Sequence, residues 1–250
     1  MSKQLDASNY DTDKSSKYLA NYERFFEAFL SKEVRILELG IRNGGSLLLW
    51  RDYFEKGKIV GLDLKPVHIE DSSKRIITYY GRQEDTDLLD RIGKETAPEG
   101  FDIIIDDCSH IAELTRISFW HLFDNHLKPG GLYVIEDWGT GYINNWVDGR
   151  KYRPYSKPMF HSIRCYLAGI IAFFSKKLPG RWSRLYKLAY YKQRYHSHDY
   201  GMVGFVKQLI DECGMSDITK SKGSNMHERG SKFQEVHIFE GQVFVIKSQL

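Results

Sequence analysis

A chain of 250 residues with 42% hydrophobic residues and a net charge of +3 can build one large α/β core, which excludes wholesale disorder. Cys108, Cys165 and Cys213 are odd in number and lack metal-finger spacing, so they suit a reducing cytoplasm better than a disulfide scaffold. The polar start "MSKQLDASNYDTDKSSKY" has no signal-peptide character, and "CYLAGIIAFF" falls short of the roughly 18 apolar residues of a membrane span.

Hydrophobic runs then alternate with amphipathic stretches, the pattern of βαβ units and a mostly parallel sheet. "VRILEL" (Val34 to Leu39) reads as the first strand. It is followed by the glycine turn "GIRNGGS" and a helix through "LLLWRDYF". "KIVGLDL" and "RIITYYG" are the second and third strands. A polar turn and a helix around Leu88 to Lys94 come next. "FDIIIDD" is the fourth strand, Ala112 to His126 a helix that stops at the breaker "KPGG", and "LYVIED" the fifth strand.

After Asp137 the rhythm changes. A long loop runs from Trp138 to Phe160, two helical stretches flank "LPG" (Leu178 to Gly180), and a helix lies near Met202 to Cys213. "SKGSNMHERGSK" reads as an exposed loop, and "EVHIFEG" with "QVFVIKS" as a hairpin turning at Glu240 and Gly241. Between Arg150 and Arg194 there is no Asp or Glu, so the rest of the chain is acidic on balance. Such a basic block would meet phosphate, an anionic membrane surface or nucleic acid, or form the solvated face of a helix.

Five βα units and a terminal hairpin predict a Rossmann-like methyltransferase sheet, seven-stranded and mostly parallel, with a helical insertion. In open sheets of this kind ligands bind beyond the carboxyl ends of the strands. The charges that end the buried strands therefore mark the expected site. Gly40, Gly44 and Ser46, in the first turn, are assigned to the cofactor side, where glycine lets backbone approach a ligand closely. The turn lacks the G-x-G-x-x-G of dinucleotide folds, and Glu38 before it would repel a pyrophosphate but attract an ammonium group. That tilts the ligand from NAD to S-adenosylmethionine. Asp63 ends the second strand, where an acid binds ribose hydroxyls; Gln83 and Asp85 follow the third and are placed to reach adenine.

The fourth and fifth strands are expected neighbours, which would bring Asp107, Glu136 and Asp137 together. Carboxylates sharing a small space repel one another, and a hard divalent cation resolves the conflict; oxygen ligands favour Mg²⁺, Mn²⁺ or Ca²⁺ over zinc. The bland alternative is helix capping and surface ion pairing. His110 shares the turn with Asp107 and is a natural acceptor for a hydroxyl proton, whereas His121, His126 and His161 read as structural.

"ELGIRNGGSLLLW", "GLDL", "IIIDDCSH", "LKPGGLYVIEDW" and "HIFEGQVFVIKS" resemble the metal-dependent sugar O-methyltransferases of macrolide biosynthesis, the mycinamicin 2''-O-methyltransferase and macrocin O-methyltransferase group of class I S-adenosylmethionine-dependent enzymes. The resemblance covers most of Asp11 to Gly141 and the final hairpin. It implies Mg²⁺ (or Mn²⁺) on Asp107, Glu136 and Asp137, with His110 as general base. It also implies that Glu38, Gly40, Asp63, Gln83 and Asp106 line the cofactor pocket. Residues 1–30 would form an N-terminal cap over the cofactor and residues 142–200 a basic, acceptor-side helical insertion within a single domain. Two departures are Cys108, where glycine is expected, and Trp146 to Tyr200, which does not follow the macrolide enzymes.

The implied reaction is methylation of a sugar hydroxyl on a glycan or glycosylated natural product. The acceptor would be phosphate-bearing or lipid-linked if the basic segment touches a membrane, placing the protein in the cytoplasm or at the inner membrane face. Homo-oligomers follow by family analogy, and no specific nucleic acid is expected. The alternatives are a catechol-type O-methyltransferase, a relative of the cephalosporin-hydroxylase proteins, and a non-catalytic nucleic-acid binder using the basic segment.

Overall fold

The computed structural model describes residues 3–150, 198–220 and 227–249. Met1–Lys151 and Asp199–Leu250 make one compact unit; a second unit, Tyr152–His198, lies almost wholly outside the described residues, as does most of the basic block.

Seven strands form one sheet in the order β3-β2-β1-β4-β5-β7-β6. They are β1 (Arg35–Leu39), β2 (Lys58–Asp63), β3 (Ile76–Tyr80), β4 (Phe101–Asp106), β5 (Leu127–Glu136), β6 (Phe233–Ile238) and β7 (Gln242–Lys247). The first five pair in parallel, and β7 runs antiparallel to both β5 and β6. This is the expected class I methyltransferase sheet, with its order reversing between β1 and β4.

Both faces are covered, which is why the central strands read as unbroken apolar runs. Leu37, Leu39, Ile104, Tyr133 and Ile135 face a core shared with α3 (Thr86–Thr96), α4 (Ala112–Asn125) and α5 (Gly201–Cys213). Ile36, Ile103, Ile105 and Val134 face the other core, built with α1 (Ser16–Phe26) and α2 (Gly45–Tyr53). Tyr22 and Phe26 of α1 pack there on Trp50 of α2, with ring centroids 5.0 and 5.4 Å apart. The N-terminal segment is thus part of the core, anchored beside the carboxyl end of β1.

Several boundaries differ from the sequence reading. "KPGG" does not merely stop a helix: α4 ends at Asn125 and β5 already begins at Leu127. Gly130 takes up a positive φ there, and the β4–β5 register shifts between Phe101 and Ile103. A short helix over Met215–Lys220 was not foreseen. Among the described residues, no helix is long and apolar enough to cross a membrane.

Candidate active site at the carboxyl edge of the sheet

The β1–α2 turn is held from three sides. Gly40 (φ +82°) donates to Leu62 O at 2.8 Å, and a Cβ there would overlap the Asp107 carbonyl. Asp63 Oδ2 accepts from the amides of Ile41 at 3.0 Å and Arg42 at 2.9 Å, so the acid read as a ribose ligand also fixes the glycine turn. Gly44 (φ +85°) starts α2, and Ser46 in its first turn donates to Glu38 Oε2 at 2.7 Å. Trp50 Nε1 reaches the same oxygen at 3.0 Å.

Glu38 is fully buried, and the ammonium group that its position called for is supplied by the chain. Lys14 Nζ lies 3.3 Å from Glu38 Oε1, 2.9 Å from Asp107 Oδ2 and 2.8 Å from Glu136 Oε1. Gln83 and Asp106 are likewise turned toward protein partners. Gln83 Oε1 accepts from the Ser109 amide at 3.0 Å and its Nε2 donates to Ser118 Oγ at 3.2 Å. Asp106 accepts from Ser118 Oγ at 2.9 Å, and burial raises its carboxyl to about 6. Asp85 caps α3 by accepting from the Leu88 amide.

Parallel pairing of β4 with β5 does bring the acids together. Asp107 and Asp137 face His110, whose Nε2 is 3.9 Å from Asp107 Oδ1 and 3.8 Å from Asp137 Oδ2. One donor atom from each of these three lies within 4.8 Å of the others. Glu136 sits deeper, and its Oε1 accepts from both Lys14 and the Tyr22 hydroxyl. His110 (φ +51°) and Asp137 (φ +54°) both hold left-handed backbone, which is unusual away from glycine and gathers at functional sites. The surroundings over-determine it. Trp146 Nε1 and Thr140 Oγ1 donate to His110 O at 3.1 and 3.3 Å, and the Asp137 amide donates to Gly241 O at 2.6 Å.

Burial drives Glu136 up to about 7, assisted by Asp107 and only partly offset by Lys14. Burial also drives Asp107 up to about 6 against the pull of Lys14. Lys14 is held charged well above its ordinary value: burial opposes this, but Glu136, Tyr22, Glu38 and Asp107 outweigh it. Glu38 Oε1 makes no hydrogen bond among the described residues beyond its ion pair with Lys14. The cluster is short of positive charge, and its donors are carboxylates with one imidazole beside them. That set fits a hard divalent cation.

The residues that sequence reading missed are Lys14, Tyr18 and Tyr22. Tyr18 and Tyr22 lie one turn apart on a face of α1 and Lys14 just precedes that helix; each reaches an acid, and Tyr18 OH donates to Asp137 Oδ1 at 2.7 Å. The periodicity was visible in "KSSKYLANY", but not what it faced.

No family model matches the chain. It is 43% identical over 133 residues to mycinamicin VI 2''-O-methyltransferase of Micromonospora griseorubida, and 44% identical over 133 residues to demethylmacrocin O-methyltransferase of Streptomyces fradiae. Each match covers 50% of this chain and 32% of the relative, so the match spans about a third of the length of these proteins. MycE methyltransferase, solved with Mg and SAH, superposes with a TM-score of 0.70 at 28% identity, covering 99% of this chain and 55% of that one. In sequence and in fold, then, this chain resembles the sugar O-methyltransferases of macrolide biosynthesis and carries their class I methyltransferase sheet.

Proposed function

We propose that this chain transfers a methyl group from S-adenosylmethionine to a sugar hydroxyl, with Mg²⁺ held by Asp107, Glu136 and Asp137 and with His110 as the general base. The observation that carries the reading is the charge balance at the carboxyl edge of the sheet. Glu38, Asp107 and Glu136 converge on the ammonium of Lys14, the one buried ammonium beside them among the described residues, and Asp137 accepts from the Tyr18 hydroxyl. Fully ionised, the four acids would exceed that ammonium by three charges, which a divalent cation and a sulfonium together would neutralise; without them, burial raises Glu136 and Asp107 toward the neutral form.

An alcohol is a weak nucleophile at neutral pH. A cation bound to these acids supplies the Lewis acidity that lowers the hydroxyl's pKa. The chain's own residues do the rest. His110 Nε2 takes the hydroxyl proton as the sugar oxygen bonds to the methyl carbon and the carbon–sulfur bond of the sulfonium breaks. Trp146 and Thr140, through the His110 carbonyl, keep the imidazole aimed between Asp107 and Asp137. Gly40, Gly44, Ser46, Asp63, Gln83 and Asp106 form the cofactor side, where the glycine turn leaves backbone open to close approach. Two further relatives, at 44% and 38% identity, carry sugar groups in their names, an L-rhamnosyl tetracenomycin 3'-O-methyltransferase and an L-olivosyl-oleandolide 3-O-methyltransferase, which supports a sugar-bearing acceptor.

The test is a pair of measurements on His110→Ala. Turnover should fall at least a hundredfold while S-adenosylhomocysteine affinity, read by calorimetry, stays within about threefold. Undiminished turnover removes the base assignment, and full activity in a chelator removes the metal.

A further inference from the structure

At the opposite end of the sheet a different trio converges. Asp90 projects from α3, His121 from the last turns of α4, and His126 follows that helix. His121 Nε2 and His126 Nε2 each lie 2.7 Å from one and the same atom, Asp90 Oδ1. One donor atom from each of the three lies within 4.8 Å of the others. The place is remote from the acid cluster: the Phe101 amide, opening β4, donates to His126 O at 2.7 Å, whereas Asp106 closes that strand. The intervening strand spans roughly 17–20 Å.

Both imidazoles turn their Nε2 to a single carboxylate oxygen while Asp90 Oδ2 accepts from neither. The same three atoms would serve without conflict as ligands to a shared cation. Two imidazole nitrogens and one carboxylate oxygen suit a borderline metal such as Zn²⁺; a hard ion prefers an all-oxygen set. The Asp90 side chain is 37% exposed, so a fourth position opens to water. Lys94 Nζ stands 3.7 Å from the other oxygen, Oδ2.

The local sequence is shaped around the second imidazole. α3 carries Gly93 in its interior, which costs about 0.5–1 kcal/mol relative to alanine. A Cβ at that position would overlap Nδ1 of His126. Helix stability is given up where the ring needs room.

We propose that Asp90, His121 and His126 form a second metal centre, a solvent-open site of the Zn²⁺ class that staples α3 to the end of α4. On binding, each neutral imidazole carries its proton on Nδ1 instead of Nε2, and the donors spread to the about 3.3 Å separation that bonds of about 2.0–2.1 Å require in a tetrahedron. The proposal does not depend on the methyl-transfer reading.

The experiment uses the full chain, stripped with a chelator and titrated with Zn²⁺ against a chromophoric competitor in excess Mg²⁺. The wild type should take up one Zn²⁺ that the variant Asp107→Asn with His110→Ala retains. Asp90→Asn and His121→Ala should bind that ion at least 100-fold more weakly and lose the rise in melting temperature it gives the wild type. His126 is spared because its ring packs on α3, and Asp90→Asn alone decides if His121→Ala does not fold. Equal Zn²⁺ affinity in Asp90→Asn and wild type, loss of the ion only with Asp107 and His110, or no uptake by the wild type would each overturn the proposal.

Discussion

The Tyr18 hydroxyl occupies the space that a side chain at Gly241 would need, and from there it donates to Asp137 Oδ1. The glycine that turns the β6–β7 hairpin therefore also leaves room for the hydrogen bond that orients a proposed metal ligand. Outer-shell partners of this kind typically contribute 10–100-fold in metal affinity. Tyr18→Phe and Gly241→Ala should each weaken Mn²⁺ binding roughly tenfold, read by electron paramagnetic resonance. Because both act through one hydrogen bond, the double variant should lose little more than either single one. Additive losses would separate the two residues.

Lys14 is the counter-ion of the buried acids, so removing it leaves uncompensated charge. Lys14→Met should cost about 3–5 kcal/mol of unfolding free energy in chelator. Added Mg²⁺ should stabilise that variant more than the wild type, since bound positive charge replaces what was lost. Urea denaturation with and without Mg²⁺ reads both, and a loss below about 1 kcal/mol would contradict the role.

Gly40 and Gly44 share nearly the same positive φ yet face different neighbours. A Cβ at Gly40 would strike the Asp107 carbonyl and Cys108 backbone, whereas one at Gly44 would meet the end of the Ile69 side chain, which can move. Both alanine variants carry left-handed strain of about 1–2 kcal/mol. Only Gly40→Ala should also displace Asp107, lowering S-adenosylhomocysteine and Mn²⁺ affinity together while Gly44→Ala leaves Mn²⁺ affinity near wild type.

Asp71 makes a pH-dependent contribution away from the site. Burial alone would raise its carboxyl, but the Ser73 hydroxyl and the amides of Arg75, Ile76 and Ser73 outweigh it and hold the group well below the usual range. A depressed native value stabilises the fold above the unfolded value of about 3.9 and is lost as pH falls below it. Asp71→Asn should cost roughly 2 kcal/mol near neutrality, and the gap from wild type should close progressively below about pH 4. A gap constant with pH would count against it.

The order of the strands, the glycine turn and the acids at the strand ends were legible because they are local. Apolar runs that end in charge identify strands buried on both faces, and parallel pairing of β4 with β5 then forces Asp107 and Glu136 to one edge. What "YDTDKSSKYLANY" does was not legible. A lysine among polar residues reads as solvated, and only docking of α1, which follows it, against α2 and β7 carries its ammonium to Glu38, Asp107 and Glu136. His121 and His126 read as structural, and their shared partner, Asp90 of α3, is likewise visible only in the tertiary structure. The sequence by itself determined the sheet and the chemistry available at its edge, since periodicity and strand ends are properties of neighbouring residues. Only the tertiary structure decided which charges meet, because the energy of a buried carboxylate depends on partners up to 122 residues away along the chain.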